Sequence, residues 1–449
     1  MRKYFGTDGI RGVANREITA GLALRLGAAA AKVLLSRPHG VSVLVGRDPR
    51  ISGDMIESAL AAGFASRGAD VILVGVIPTP GVAYLVKETD ADFACVISAS
   101  HNSVEYNGIK FFGPDGEKLP DATELEIEKH LDDPLDEELP IGKNIGRFFR
   151  RPERLEFYIE GIKKSVRTDL TGLKLVVDAG NGAASVTAPR VLRELGAEVV
   201  ELACAPDGVN INEHCGSLYP EKMLQAVVEE KADAGLCFDG DADRVIMGDA
   251  NGKAVDGDAI MAILGIYLSS RGELPGDRVV ATVMSNMGLE IALREHGLLL
   301  DRTEEVGDRY VAERMRLTGA AIGGEKSGHI ILARHTTTGD GLLTGLQVLA
   351  AMNSQQKTLS ELAAVITEYP QVLKSVRVAR REGWASDSAI QQAVAQAAHA
   401  LDGKGRIHIR ASGTEPVIRV MAEGPDSQEI ESLVDGVCGV VRESLGSAV

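Results

Sequence analysis

Cysteine is scarce in this 449-residue chain. The five residues, at 95, 204, 215, 237 and 438, contain no C-x-x-C pair. An odd, scattered set excludes a disulfide framework and a zinc site and points to a reducing compartment. Long apolar runs are missing as well. None reaches the length of a membrane span. The opening Met1-Arg2-Lys3-Tyr4-Phe5-Gly6 has no apolar core of the kind a signal peptide carries. A cytoplasmic protein is expected. Positive charge is in deficit: 48 Lys and Arg against 64 Asp and Glu leave a net charge of −16. Such a surface repels nucleic acid and anionic membranes, so neither is expected as a partner. Anions can bind only where Arg, Lys and backbone N–H groups cluster locally.

What is present is ordinary in bulk and repetitive in pattern. The hydrophobic share is 45%, that of a globular protein. The length exceeds one core and predicts about three or four domains. A strand–turn–helix–glycine–strand unit occurs three times. The first copy has strands at Ser42–Gly46 and Ala69–Val74 around a helix at 54–67. The second has Leu173–Asp178 and Gly196–Glu201 around a helix at 188–195. The third has Arg278–Val283 and Leu298–Leu300 around a helix at 288–296. Each is a βαβ unit, so three α/β domains are predicted. A helix from Thr19 to Leu35, N-capped by Thr19, precedes them. Asp121–Glu138 reads as an acidic, solvated helix and Lys143–Arg154 as a basic connection. Asp249-Ala250-Asn251-Gly252 reads as a hairpin turn, and Asp256-Gly257-Asp258 as the cap of an apolar helix over 259–268. After Pro370 the pattern changes to strands at 375–378, 406–410 and 417–421 and helices at 387–401 and 426–445, an α+β order. The predicted boundaries are 1–153, 154–253, 254–369 and 370–449.

Four tracts carry candidate chemistry. The apolar run Phe93–Ile97 breaks into Ser98-Ala99-Ser100-His101-Asn102-Ser103. Ligands gather at the carboxyl ends of strands in open α/β sheets, so hydroxyls there are well placed, although the same residues also suit a plain turn. Asp239-Gly240-Asp241-Ala242-Asp243-Arg244 follows the apolar run Ala234–Phe238. Alternate residues of an extended chain point one way, so its three carboxylates should converge on a hard cation, Mg²⁺ or Ca²⁺. An EF-hand loop is excluded, because its sixth and twelfth positions would be Arg244 and Ala250. Gly323-Gly324-Glu325-Lys326-Ser327-Gly328-His329 offers hydrogen-bonding groups suited to a sugar. Arg410-Ala411-Ser412-Gly413-Thr414-Glu415-Pro416, with Arg419 nearby, reads as an anion cradle at a hairpin tip. Val306-Gly307-Asp308-Arg309-Tyr310 is ambiguous. Lys110 could supply charge or move a proton, or be a surface lysine. No G-x-S-x-G elbow surrounds Ser100.

Taken in order, these tracts and the opening Phe5-Gly6-Thr7-Asp8-Gly9-Ile10-Arg11-Gly12 resemble the α-D-phosphohexomutase family over essentially the whole chain. Within it, the opening and the Val306–Val311 tract most resemble the bacterial branch acting on glucosamine phosphates. The resemblance implies three related mixed α/β domains and a C-terminal α+β domain, TATA-binding-protein-like, around one central cleft. It implies a phosphoserine at Ser100 and Mg²⁺ held by Asp239, Asp241, Asp243 and the serine phosphate. Arg11, Lys110, Arg244 and His101 would surround the transferring phosphoryl group, with Lys110 and His329 moving protons. Glu325 and Ser327 would bind sugar hydroxyls. Arg410, Ser412, Gly413, Thr414 and Arg419 would hold the phosphate that is not reacting.

The implied reaction interconverts glucosamine 6-phosphate and glucosamine 1-phosphate through glucosamine 1,6-bisphosphate, feeding UDP-N-acetylglucosamine and cell-wall precursor synthesis. The resemblance also implies a homodimer and a kinase or self-phosphorylation to prime Ser100. The alternatives are a mutase for mannose or glucose phosphates, a non-catalytic metal-dependent sugar-phosphate sensor, and a phosphatase. Retention of Ser100 and all three aspartates opposes the sensor. Two positions depart from the usual pattern: Ser103 stands where proline is common, and Lys326 where other residues are.

Overall fold

The computed structural model describes residues 3–6, 8–35, 41–89, 91–135, 139–380, 382–412 and 416–446. Two compact units divide the chain. One holds Met1–Met284 with Gly297–Val365, the other Ser285–His296 with Ile366–Val449.

The larger unit contains the three repeats, each longer than a βαβ unit. In the first, parallel strands Ser42–Arg47 and Asp70–Val76 are followed by Phe93–Ile97, which pairs parallel to Ser42–Arg47 on its other side. The chain then reverses into the antiparallel strand Tyr106–Phe112. The second repeat uses Lys174–Asp178, Glu198–Leu202, Ala234–Phe238 and the antiparallel Val245–Asp249. The third uses Arg278–Thr282, Leu299–Thr303, Ile322–Gly324 and the antiparallel Ile330–Leu332. In all three sheets the order across the repeat is fourth, third, first, second. The third strand of each repeat therefore ends in a short loop before the reversal, and those loops carry the candidate residues.

Local chemistry accounts for the elements. The helix Ala20–Leu34 begins where Thr19 accepts a hydrogen bond from the Leu22 N–H, as its sequence predicts. It packs on the helix Ser52–Ser66 so closely that a Cβ on Gly27 would lie 2.4 Å from the Leu60 carbonyl oxygen. Both helices cover one face of the first sheet, through Leu26, Ile56, Leu60 and Phe64 against Val43, Val45, Phe93 and Cys95. The helix Thr79–Glu88 covers the other face, with Val82 and Leu85 against Leu44, Ala94 and Val96. Phe93–Ile97 is buried along its whole length, as expected of a strand covered on both sides. Its large side chains, Phe93, Val96 and Ile97, contribute roughly 1.5–3 kcal/mol each, which makes the strand a rigid mount for the loop that follows. Asp256 caps the helix Gly257–Ser270 from the Ala259 N–H, and Asp249 to Lys253 closes the expected hairpin. Among the described residues no helix is long and apolar enough to cross a membrane.

Two expectations are corrected. The basic connection contains an edge strand, Phe148–Arg150, parallel to Asp70–Val76; three residues are too few to show a period. The acidic helix covers only Asp121–Lys129, and residues 136–138 lie outside the described set. It is also more than solvated, because Glu124 is buried and accepts from Arg309 Nη2 at 3.0 Å. The helix of the third repeat, Met287–Glu295, groups with the C-terminal unit. There the Met287 N–H donates to Glu423 at 3.0 Å and the Asn286 side chain donates to the Tyr369 carbonyl.

In the C-terminal unit, Val417–Glu423 lies between Gln371–Arg377 and Arg406–Ala411, all antiparallel. Alternation sends Ile407, Ile409, Ile418 and Val420 toward the helices Ser388–Ala400 and Ser427–Leu445. Asp387 and Asp426 cap those helices. His408, Arg410 and Arg419 fall on the other face.

Candidate functional site

Three loops sit at equivalent places in the three repeats. Ser100 follows Phe93–Ile97, Asp239 follows Ala234–Phe238, and Glu325 follows Ile322–Gly324. Each reversing strand brings a cation or imidazole back: Lys110 lies on the first, Arg244 precedes the second, and His329 precedes the third. Arg244 and His329 form a β-bridge, and the Val245 N–H donates to the Gly328 carbonyl at 3.2 Å.

The three aspartates converge. One carboxylate oxygen from each lies within 4.8 Å of the other two, and all three residues are buried. The extended-chain explanation is corrected, however. The segment is a tight turn in which the Ala242 N–H donates to the Asp239 carbonyl and Ala242 takes a left-handed φ of +57°. Asp241 accepts from Thr79 Oγ1 at 2.7 Å and from Lys110 Nζ at 3.1 Å. Asp239 accepts from Ser100 Oγ at 2.5 Å. Asp241 Oδ1 and Asp243 Oδ1 are buried with no hydrogen-bond partner among the described residues. Two orphaned carboxylate oxygens beside a third carboxylate form the hard, anionic donor set that a divalent cation such as Mg²⁺ requires.

The electrostatics agree with that fit. Burial, reinforced by Asp243 and Asp241, pushes the Asp239 carboxyl well above its ordinary range, as expected where carboxylates crowd one another out of water. Burial also works to raise Asp241, but Lys110, the Thr79 hydroxyl and Arg11 outweigh it and hold Asp241 below its usual value. For Lys110, burial acts downward. Asp241, Asp8 and Asp243 prevail and hold the ammonium above its ordinary range. It therefore rests as a buried cation, 3.1 Å from Asp8 and 3.7 Å from Asp243, and not the surface lysine its sequence position also allowed. His101 Nδ1 lies 3.3 Å from Ser100 Oγ. Burial, with Arg244 and Arg11, lowers the His101 value to about 4, so the ring is neutral at pH 7.

A cavity of about 300 Å³ opens beside these groups, lined among others by Arg11, Asp243, Arg244, Asp308, Glu325 and His329. Arg11 Nε and Arg244 Nε are buried there without a hydrogen-bond partner among the described residues, although Arg244 Nε lies 3.8 Å from Asp243 Oδ1; both guanidinium edges can still donate to an anion. Burial raises Glu325 despite the attraction of His329. Ser327 is exposed and does not line the cavity. Lys326 lies 3.7 Å from Asp256, the N-cap of the helix Gly257–Ser270. Arg410 and Arg419 stand directly opposite on paired strands, and burial and Arg419 lower the Arg410 value. Like charges across a strand pair are unfavourable unless an anion lies between them. Ser412 accompanies them, its N–H donating to the Val417 carbonyl. Gly413 and Thr414 lie outside the described residues.

Several residues of the site carried little signal in the sequence. Asp8 bonds Arg11 and Lys118, Lys118 also bonds Asp308, and Asp308 lies 3.3 Å from His329 Nε2. Thr79 was the most accessible omission, since it follows strand Asp70–Val76 at its carboxyl end, the same position that marked Ser100.

Comparison with known proteins places this geometry. The chain matches the phosphoglucomutase/phosphomannomutase family domain by domain: alpha/beta/alpha domain I over residues 2–137, domain II over 156–252, domain III over 256–369 and the C-terminal domain over 373–440. It is 50% identical over 442 residues to the phosphoglucosamine mutase of Desulforamulus reducens, covering 98% of this chain and 99% of that one. It is 51% identical over 447 residues to the phosphoglucosamine mutase of Carboxydothermus hydrogenoformans, covering 99% and 100%. A crystal structure of a phosphoglucomutase/phosphomannomutase family protein from Burkholderia thailandensis superposes with a TM-score of 0.81 at 27% identity, over 99% of this chain and 98% of the other. Four domain matches in order, with half-identical relatives along the full length, lead to one conclusion: the chain belongs to the phosphoglucomutase/phosphomannomutase family.

Proposed function

We propose that the protein is a phosphoglucosamine mutase, interconverting glucosamine 6-phosphate and glucosamine 1-phosphate through a phosphoserine at Ser100 and a 1,6-bisphosphate intermediate. The carrying observation is Ser100 Oγ held 2.5 Å from Asp239 in a buried aspartate triad, with Lys110 charged at its other side. The name shared by its half-identical relatives supports the amino sugar.

In this reading a sugar hydroxyl attacks the phosphorus carried by Ser100. The Ser100 O–P bond breaks as the new P–O bond forms, giving the bisphosphate. The bisphosphate turns round, and its other phosphate returns to Ser100. The attacking hydroxyl loses a proton and Ser100 Oγ regains one; Lys110 and His329 are placed to handle them. Arg11 and Arg244 hold the phosphoryl oxygens through their guanidinium groups, with the neutral His101 ring beside them. Mg²⁺, held by Asp239, Asp241, Asp243 and the serine phosphate, would offset charge on the oxygens of the transferring group. Glu325 and Ser327 take the sugar hydroxyls. Arg410, Ser412, Gly413, Thr414 and Arg419 take the resting phosphate. The domains divide near 153, 253 and 369, the enzyme works as a cytoplasmic homodimer, and Ser100 is primed by a kinase or by self-phosphorylation.

The test is turnover of glucosamine, glucose and mannose phosphates by the wild type and by Ser100→Ala. Glucosamine phosphate should be preferred, inorganic phosphate should not accumulate, and Ser100→Ala should lose mutase activity while keeping its melting temperature. Equal turnover of all three sugars would reject the substrate. Substantial turnover by Ser100→Ala would reject the nucleophile.

A further inference from the structure

The loop bearing Ser100 is held by a residue far from it in sequence. Ser100 has a left-handed φ of +51°, a conformation uncommon outside glycine that persists only where its surroundings impose it. Those surroundings centre on Arg50, whose side chain is fully buried. Its Nη2 donates to the carbonyls of Ser100 at 2.9 Å and Asn102 at 2.7 Å. Its Nη1 donates to the carbonyls of Ser103 and, at 3.1 Å, Tyr106. Its Nε donates to Asp48 Oδ2 at 2.9 Å. Asp48, equally buried, also accepts from Ser98 Oγ at 2.6 Å, and Ser98 Oγ in turn accepts from the Ser100 N–H at 2.9 Å. The ring of contacts closes on the nucleophile's own backbone.

A second donor arrives from the repeat that carries the aspartates. Asn212 Nδ2 donates to the same two carbonyls, Ser100 at 2.9 Å and Asn102 at 3.0 Å. The aspartate loop presses on the same point, since a Cβ on Gly240 would lie 2.5 Å from the Ser100 carbonyl oxygen.

We propose that Arg50, oriented by Asp48 and seconded by Asn212, is the positioning residue that holds Ser100 Oγ in line with the aspartate triad. A planar guanidinium can serve four carbonyls arranged around it; an ammonium cannot reproduce that fork. The arrangement also explains how Ser103 can stand where proline is common, because Arg50 restrains the Ser103 carbonyl directly. The inference rests on Ser100 being the nucleophile.

The role predicts a particular kinetic signature. Misplacing a reacting atom by about 1 Å costs roughly 100-fold in rate, and the side-chain hydrogen bonds of Arg50 run to the Ser100 loop and to Asp48. Arg50→Lys should lower kcat on the order of 10- to 100-fold with KM within about twofold. Single-turnover transfer from phosphorylated Ser100 to sugar phosphate should slow by the same factor. Asn212→Ala should slow that step several-fold with an unchanged melting temperature, and it decides the matter if Arg50→Lys does not fold. Wild-type kcat in folded Arg50→Lys, or a raised KM with kcat intact, overturns the proposal. So does an unimpaired transfer step in Asn212→Ala where Arg50→Lys is unfolded. Failure of the nucleophile reading is distinguishable, because it appears as activity in Ser100→Ala.

Discussion

Asp241 ties the aspartate turn to the first repeat. It meets the Thr79 hydroxyl and the Lys110 ammonium through one oxygen and leaves the other bare. The paired oxygen fixes the orientation, and the bare one is free for a cation. Asp241→Asn removes one negative charge from the candidate cation site, where ligand charge would set affinity. Mg²⁺ binding should weaken by about tenfold or more, and turnover at limiting metal should fall with it. Calorimetric titration of the two proteins with Mg²⁺ checks this; equal affinities would remove Asp241 from the metal site.

At the scale of elements, the helix Gly341–Gln355 ties the aspartate turn to the rest of the larger unit. The Gly341 N–H donates to the Ala242 carbonyl at 3.0 Å. The N-cap, Asp340, accepts from the Leu343 N–H at 2.9 Å and from the Tyr158 hydroxyl at 3.0 Å. Burial raises the Asp340 carboxyl from 3.8 to about 6, against the pull of those bonds. The folded state thus binds this proton more tightly than the unfolded state. The Asp340 contribution to stability grows as pH falls from about 6 to about 4 and is lost as pH rises through that window, by up to about 1.4 kcal/mol per unit. Asp340→Asn keeps a capping oxygen but cannot titrate. Between pH 4 and 6.5 the wild type should lose stability relative to the variant as pH rises. Urea melts across that range test it, and a constant difference between the two proteins would contradict the assignment.

At the scale of the whole molecule, the proposed cycle needs one phosphate held while the other reacts. Arg410 and Arg419, two like charges on neighbouring strands, are suited to the held one. Lysine lacks the bidentate fork, so Arg410→Lys should raise KM about tenfold and Arg410→Ala further, with more bisphosphate released to solution. Transfer from phosphorylated Ser100 to saturating substrate should suffer less, since the serine and the triad are untouched. Steady-state kinetics beside single-turnover transfer, with released bisphosphate counted, separates the two effects. Unchanged KM and bisphosphate release in Arg410→Ala would remove the pair from substrate binding.

Much of this was legible along the chain because it is local. Phe93–Ile97 and Ala234–Phe238 announce buried strands by apolar runs alone, and the polar residues after them stand at strand carboxyl ends, where ligands gather in α/β sheets. Thr19, Asp256, Asp387 and Asp426 announce helix starts, since a cap is satisfied within three residues. What the tertiary structure alone decided involves partners with no fixed spacing. Thr79 reaches across 162 positions to Asp241, Lys110 across 131 and Ser100 across 139 to Asp239. No period in the sequence encodes those separations; they follow from three sheets folding with one strand order and presenting their loops together. The convergence of the aspartates belongs partly to each account. Their spacing is written in the chain, but they meet through a left-handed turn at Ala242, where packing and not alternation sets the geometry.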